Sequence, residues 1–227
     1  MSVQFVLSLF PGADLLGKAF EEVGFCVVRG PDILWGGDIK DFHVPPGKFD
    51  GVIGGPPCQK FSAANQTNKD AHLNLIPEFL RVIEEARPKW AVMENVMGAL
   101  SFAPKWPYTK LVDWDCSGNT KRKRLFWFYG ITPPTPPNKR IGDGAYTVCA
   151  THYRHRVGTK RTGMHLHLTA EEAALLQGYN GLHTAIMMGQ PKGLSARSKE
   201  ILATHMLGNG VPHAMGKYVA EHVKKST

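Results

Sequence analysis

Compact apolar runs alternate with segments of helical periodicity along the first 130 residues of this 227-residue chain. Five runs are predicted to be strands: 3–10, 26–30, 49–57, 90–96 and 124–130. Segments 11–25 and 71–89 lie between them and carry apolar residues at helical spacing. This alternation predicts a doubly wound α/β fold with a mostly parallel sheet, in which ligands bind at the carboxyl ends of the strands.

The pattern breaks at "ITPPTPPNKR" (131–140), where four prolines in ten residues exclude a helix or a central strand. We predict a boundary after residue 130. From 131 to 167 the chain has 37 residues with six Lys or Arg, four His and a single acid. A helix is predicted over 168–179, because Thr169 and Glu172 form a capping-box pattern.

The formal net charge is +8 and the pI about 9.4, which favours a polyanionic partner such as nucleic acid over a merely solvated basic surface. No run of 18 apolar residues occurs, and no signal segment opens the chain, so we expect a cytoplasmic protein with no membrane span. The four cysteines lack metal-ligand spacing, so no metal site is expected.

Polar residues and glycines follow the first predicted strands. Gly12 comes after the first strand, where backbone N–H groups can approach a ligand. Asp32 and Asp38 follow the second strand, and such acids accept hydrogen bonds from ribose hydroxyls or an adenine amino group. A turn or helix-capping role is equally open for both aspartates.

A cysteine stands on a constrained loop in "GGPPCQKFS" (54–62), directly after the third predicted strand. Cys58 at that sheet edge is a candidate nucleophile, and Glu94 in "MENV" ends the next strand, facing the same crevice. Arg122 and Arg124 in "TKRKR" share one face by strand alternation. Taken singly, Glu94 reads as a helix cap and the arginines as a basic edge.

Together these motifs resemble, in order, those of the DNA (cytosine-5) methyltransferase family. The matching stretches are "FPGADLLG", "GGPPCQKFS", "MENV", "TKRKR", "HLTAEEAALLQGY" and "MLGNGVP". The resemblance covers nearly the whole chain except about 131–167. It implies a Rossmann-like S-adenosylmethionine-dependent methyltransferase domain with a small, reduced recognition lobe. The implied parts are a cofactor-binding and catalytic domain (1–130), a reduced target-recognition segment (131–167) and C-terminal motifs that return to the catalytic domain (168–227).

The resemblance also implies residue roles. Cys58 would attack C6 of a cytosine flipped out of double-stranded DNA, and Glu94 would protonate N3, with Arg122 and Arg124 as active-site arginines. Substrate contacts are expected from Gln59, Ser62 and Asn95, of which Asn95 would also orient the loop that contains Cys58. The expected S-adenosyl-L-methionine site comprises Phe10, Gly12, Asp32, Trp35, Asp38, Ile39, Pro56, Asn209 and Val211, with Trp35 or Ile39 against the adenine.

Three departures from the family pattern qualify this expectation. Ala13 and Asp14 stand where a second glycine is usual, so the cofactor loop is expected to differ in shape. Thr120 replaces a glutamine. The recognition region is short, and its Tyr153, Arg154 and Arg156 are either DNA contacts or part of a basic connecting loop.

The short recognition region leaves alternatives open. The chain could be an inactive or partner-dependent DNA-binding homologue, with a partner protein or second copy completing recognition. An RNA (tRNA) methyltransferase is less favoured because Gln59 follows Cys58. The compact chain would suit a bacterial or phage protein in the host cytoplasm, including one from a restriction–modification system.

Overall fold

The computed structural model describes residues 3–57, 73–142, 144–149, 157–158, 165–166, 168–182, 186 and 193–227. Its main sheet has six strands in the order β2-β1-β3-β4-β6-β5. They are β1 (Phe5–Leu9), β2 (Cys26–Arg29), β3 (Gly51–Gly54), β4 (Trp90–Asn95), β5 (Tyr108–Val112) and β6 (Lys123–Tyr129). A separate two-stranded ladder joins β7 (Val157–Gly158) to β8 (His165–Leu166).

The strands β1 to β4 are parallel, which confirms the predicted parallel core of the sheet. The strand β6 runs antiparallel to both of its neighbours, β4 and β5. The edge strand β5 was not predicted. A turn over 113–122 joins β5 to β6 and sends the chain back alongside β4. The start of β6 therefore lies at the same sheet edge as the end of β4, where Asn95 pairs with Leu125.

Helices cover both faces of the sheet, as the doubly wound prediction requires. They are α1 (Leu15–Glu22), α2 (Ile76–Ala86), α3 (Ala170–Leu176), α4 (Ala196–Asn209) and α5 (His213–Ser226). The alternation along the strands decides which face each side chain covers. In β6, Trp127 packs in the cluster that contains α2, whereas Phe126 packs in the cluster of α1 and α5. The sequence-predicted α/β fold is confirmed.

The capping box at the start of α3 is also confirmed. The Thr169 hydroxyl accepts a hydrogen bond from the Glu172 N–H at 3.1 Å, and the Glu172 carboxylate accepts one from the Thr169 N–H at 2.8 Å. A third apolar cluster joins α3 and α4 to Leu15 and Val148, at one end of the sheet. This cluster places the C-terminal helices beside the first strand–helix turn.

The proline-rich stretch after β6 lies against α5. The Thr132 carbonyl is 2.7 Å from His222 Nε2, and the Tyr218 hydroxyl donates to the Thr135 carbonyl at 2.5 Å. Arg140 closes the stretch by placing its guanidinium 3.9 Å from the ring centroid of Trp114. No helix within the described part of the chain is long and apolar enough to cross a membrane.

Candidate active site

A cleft of about 330 Å³ opens at the carboxyl ends of β1, β3 and β4. The topology of the sheet explains the position of the cleft. The strands β2 and β3 lie on opposite sides of β1, and in open α/β sheets ligands bind where the strand order reverses in this way. Most of the predicted cofactor and catalytic residues that the structure describes line this cleft: Phe10, Gly12, Asp32, Asp38, Ile39, Pro56, Glu94, Arg124, Asn209 and Val211.

The turn after β1 forms one wall of the cleft and has an unusual backbone. Phe10, Gly12 and Asp14 all have positive φ angles, of 54°, 53° and 52°. Asp14 stands where the family usually has glycine, and it adopts the left-handed conformation that glycine favours and aspartate tolerates. Its carboxylate also caps α1 by accepting a hydrogen bond from the Gly17 N–H. Asp14 therefore combines a left-handed backbone with a side chain that caps α1.

Asp14 is buried at the base of this turn and has several partners. Its carboxylate accepts a hydrogen bond from the Ser8 hydroxyl at 2.7 Å and pairs with Arg29 Nε at 2.8 Å. Burial raises the pKa of the Asp14 carboxyl, while the Ser8 hydrogen bond and the Arg29 charge partly oppose that rise. Sequence analysis noted Asp14 only as a departure, and its role as a helix cap was not predicted.

The two aspartates predicted to bind the cofactor are both engaged in turns. Asp32 accepts hydrogen bonds from the Leu34 N–H at 2.9 Å and the Gly12 N–H at 2.8 Å, so it ties the 3-10 turn Ile33–Trp35 to the first loop. Asp38 caps the 3-10 turn Ile39–Asp41 through the Lys40 N–H. The capping alternative therefore describes both residues, and both still line the cleft.

Trp35 and Ile39 occupy different settings. Ile39 is buried and lines the cleft, as expected for a residue against an adenine ring. Trp35 is 53% exposed, does not belong to the lining, and donates its indole N–H to the Gly12 carbonyl. Leu34, which was not predicted, lines the cleft beside Ile39. Ile39 and Leu34, rather than Trp35, therefore contribute apolar side chains to the lining of the cleft.

Glu94 lies at the end of β4 and faces Arg124 at the start of β6. Arg124 Nε lies 2.7 Å from Glu94 Oε1, which accepts no well-aligned hydrogen bond from any residue the structure describes. Glu94 is only 7% exposed, and this burial raises the pKa of its carboxyl. The charges of Arg124 and Arg122 lower that pKa, but burial outweighs them. The site therefore holds a carboxyl that accepts a proton more readily than an exposed glutamate.

The backbone before Cys58 passes close to Glu94. A Cβ atom on Gly55 would lie 3.0 Å from Glu94 Oε2, so a side chain there would crowd the carboxyl. The Asn95 side chain is buried behind the cleft and donates a hydrogen bond to the Pro56 carbonyl at 3.0 Å. This contact lies two residues before Cys58 and fits a loop-orienting role better than direct substrate contact.

Several predicted residues lie outside the described ranges. These are Cys58, Gln59, Ser62, Tyr153, Arg154 and Arg156.

Arg122 and Arg124 have separate surroundings, although both were predicted as active-site arginines. Arg124 lines the cleft, whereas Arg122 is 1% exposed and does not belong to the lining. The Arg122 guanidinium donates hydrogen bonds to the carbonyls of Val148 and Gly208. Arg122 therefore binds backbone carbonyls behind the cleft, and its charge is close enough to Glu94 to lower the pKa of that carboxyl.

Thr120, the second departure, anchors the turn that leads to Arg122. Its N–H and hydroxyl both donate to one carboxylate oxygen of Asp113, at 2.9 and 2.7 Å. Thr120 is fully buried, and its backbone forms an isolated parallel β-bridge with Ala145. A short hydroxyl side chain thus fixes this turn.

His205 is a further cleft residue that sequence analysis missed. It lies on α4 one turn before Asn209, and both residues line the cleft. A helical reading of 196–209 with Asn209 at its end would have placed the two on one face. Across the described residues there is no group of three His, Cys, Asp or Glu side chains that could hold a metal ion.

Residues 35–109 match the family model described as C-5 cytosine-specific DNA methylase. Over this stretch the chain is similar to that family. The Type II methyltransferase M.DdeI of Desulfomicrobium norvegicum is 44% identical over 122 residues, which cover 44% of this chain and 29% of the relative. The Type II methyltransferase M.AquIA of Picosynechococcus sp. is 50% identical over 125 residues, covering 43% of this chain and 50% of the relative. The chain thus spans half or less of the length of each of these relatives.

Solved structures extend the likeness to nearly the whole chain at the level of fold. The Entamoeba histolytica methyltransferase EhMeth gives a TM-score of 0.63 at 12% identity, covering 99% of this chain and 98% of that one. The S. pombe Dnmt2 methyltransferase gives a TM-score of 0.59 at 11% identity, covering 98% and 99%. These neighbours confirm the Rossmann-like methyltransferase fold.

Proposed function

We propose that the chain is a DNA (cytosine-5) methyltransferase that uses S-adenosyl-L-methionine and acts on a cytosine flipped out of double-stranded DNA. The observation that carries this proposal is the buried Glu94 carboxyl, paired with Arg124 at the wall of the cleft. The Asn95 contact to the loop before Cys58 and the family match support it.

The cleft residues fit S-adenosylmethionine. The volume of the cleft, about 330 Å³, is within the range of about 300–1,000 Å³ typical of small-molecule sites. Ile39 and Leu34 offer an apolar surface for an adenine ring, and the carboxylates of Asp32 and Asp38 lie at the same wall for hydroxyl or amino groups. Asn209 and Val211 would close the opposite side. The bound cofactor would supply the methyl group.

The chain's own residues would activate the cytosine. The Cys58 thiolate would form a bond to C6, and the displaced ring electrons would make C5 nucleophilic. Glu94 would share its proton with N3, so that negative charge does not accumulate on the ring. After C5 accepts the methyl group, loss of the C5 proton would restore the double bond and break the sulfur–carbon bond.

DNA contact is proposed for the basic segment 131–167 and for the cleft mouth. The net charge of +8 favours a polyanion, and Tyr153, Arg154 and Arg156 are the proposed contacts in that segment. Gln59 and Ser62 are proposed to touch the flipped nucleotide. Within this scheme, residues 1–130 form the catalytic part and 168–227 complete the cofactor wall.

Bisulfite sequencing of DNA from a methylation-free host expressing the chain tests the proposal. We expect 5-methylcytosine at a defined short sequence, and none with the Cys58→Ala variant. An unmethylated genome in the presence of folded protein would refute autonomous activity. Methylation that appears only with a second protein present would assign target recognition to a partner.

A further inference from the structure

The segment 207–211, which carries the cofactor-wall residues Asn209 and Val211, is held by buried side chains from two distant motifs. Gln177 donates its side-chain amide to the carbonyls of Leu207 at 2.7 Å and Gly210 at 3.3 Å. Arg122 donates to the Gly208 carbonyl at 2.7 Å, between those two contacts. Gln177 and Arg122 are each 1% exposed, so these hydrogen bonds are shielded from water.

Arg122 also binds a second segment. Its other guanidinium nitrogen donates to the carbonyl of Val148, whose side chain is fully buried. The segment 144–149 is docked further by Ala145, which exchanges backbone hydrogen bonds with Asn119 at 2.7 Å and Lys121 at 2.8 Å. This segment leads directly into residues 150–156, which contain the proposed DNA contacts. One guanidinium therefore joins the cofactor wall to the base of the recognition segment.

The geometry of arginine makes this junction stiff. A guanidinium holds its donors in a rigid planar fork, so two acceptors bound to it cannot move independently. Because the group is buried, a shift that leaves either its N–H groups or a carbonyl unpaired is unfavourable. A displacement of segment 144–149 is therefore transmitted to the Gly208 carbonyl, next to Asn209.

We propose that Arg122 is a positioning residue that couples DNA binding at the recognition segment to cofactor binding at the 207–211 wall. The proposal rests on the proposed function, since it takes 150–156 as DNA-contacting and the cleft as the cofactor site. Coupling of this kind is reciprocal, so if the duplex strengthens cofactor binding, the cofactor strengthens duplex binding by the same factor. Gln177 provides a matched control, because among the described residues its side-chain amide donates only to the carbonyls of Leu207 and Gly210 in the wall.

Hydrogen exchange on the ligand-free protein tests the junction without any activity. Arg122→Met should accelerate amide exchange in both 144–149 and 203–211, whereas Gln177→Leu should accelerate it in 203–211 only. If Arg122→Met does not fold, Arg122→Lys should show the same two-segment pattern to a smaller extent. Equal patterns for the two substituted positions would overturn the proposal.

Binding measurements test the coupling itself. S-adenosylhomocysteine is titrated by calorimetry into the full chain, with and without a cytosine-containing DNA duplex. We expect the duplex to tighten S-adenosylhomocysteine binding at least about fivefold in the wild type and to leave it unchanged in Arg122→Met. In Gln177→Leu, S-adenosylhomocysteine should bind more weakly, but the duplex should tighten its binding by the same factor as in the wild type. A wild type that binds both ligands without coupling would overturn the inference. A wild type that binds neither would refute the proposed function, and the exchange pattern would then decide the junction alone.

Discussion

Replacing Glu94 with glutamine should abolish most of the chemical step while leaving the fold intact. Glutamine has nearly the same shape, but it cannot share an acidic proton with N3 of the cytosine. Positioned general acids contribute about 10²–10⁴ in rate, which corresponds to about 2.7–5.4 kcal/mol of the activation barrier. Because Glu94 is 7% exposed and 2.7 Å from Arg124, water cannot readily replace its function. We therefore expect a loss of at least about 10².

The same substitution should stabilise the protein relative to the wild type by an amount that grows as the pH rises. Burial raises the folded-state pKa of Glu94 above its unfolded value, so ionisation in the folded state is unfavourable. The stability that the protonated group contributes is present below the unfolded pKa and is lost as pH rises through the folded pKa. Glu94→Gln removes this loss. Its free energy of unfolding relative to wild type should therefore increase from pH 4.5 to pH 8.

Single-turnover methyl transfer and urea unfolding measure the two effects. Glu84→Gln on the exposed face of α2 is the matched control, and it should change neither. A rate loss of less than tenfold for Glu94→Gln would refute the proton-sharing role. A variant less stable than wild type at pH 8 would show that the Arg124 ion pair outweighs the cost of burying Glu94.

Three further expectations concern the loops around the cleft and the recognition segment. Asp14→Ala should lower the free energy of unfolding in urea by about 2–3 kcal/mol, since it removes a helix cap and strains a left-handed residue, and Asp14→Gly should cost less. Asn95→Ala should lower kcat while changing the cofactor Kd less than about twofold, because it frees the Pro56 carbonyl; an unchanged kcat would dismiss the loop-orienting role. Joint replacement of Arg154 and Arg156 by alanine should weaken binding to all duplexes alike and reduce the slope of log K against log salt by about 2, in a filter-binding titration. Discrimination lost at one base pair alone would instead mark them as base-reading residues.

The sequence predicted the parallel strands because each carries a buried apolar run with a polar residue or glycine at its end. The direction of β6 was not predictable in this way, since alternation does not depend on strand direction. The strand β5 was not predicted because it is short, Lys110 interrupts its apolar run, and prolines precede it. Both omissions concern the antiparallel half of the sheet.

The site was predictable residue by residue only where a motif ends a strand. Glu94 and Arg124 meet because the end of β4 and the start of β6 are neighbours. Alternation placed Arg122 on the same face as Arg124, but the turn before β6 carries Arg122 behind the cleft, between Val148 and Gly208. Such contacts join segments up to 86 residues apart, and their partners are backbone carbonyls that have no sequence signal.

The proposed mechanism depends on the covalent step at Cys58, and mass spectrometry of a trapped complex tests that step most directly. The purified chain is incubated with S-adenosylmethionine and a duplex containing 5-fluorocytosine, whose C5 fluorine cannot leave as a proton. After digestion, we expect one cross-linked peptide carrying Cys58, with the methylated base attached through C6. A cross-link at another residue, or a folded chain that binds both ligands and yields no adduct, would contradict it.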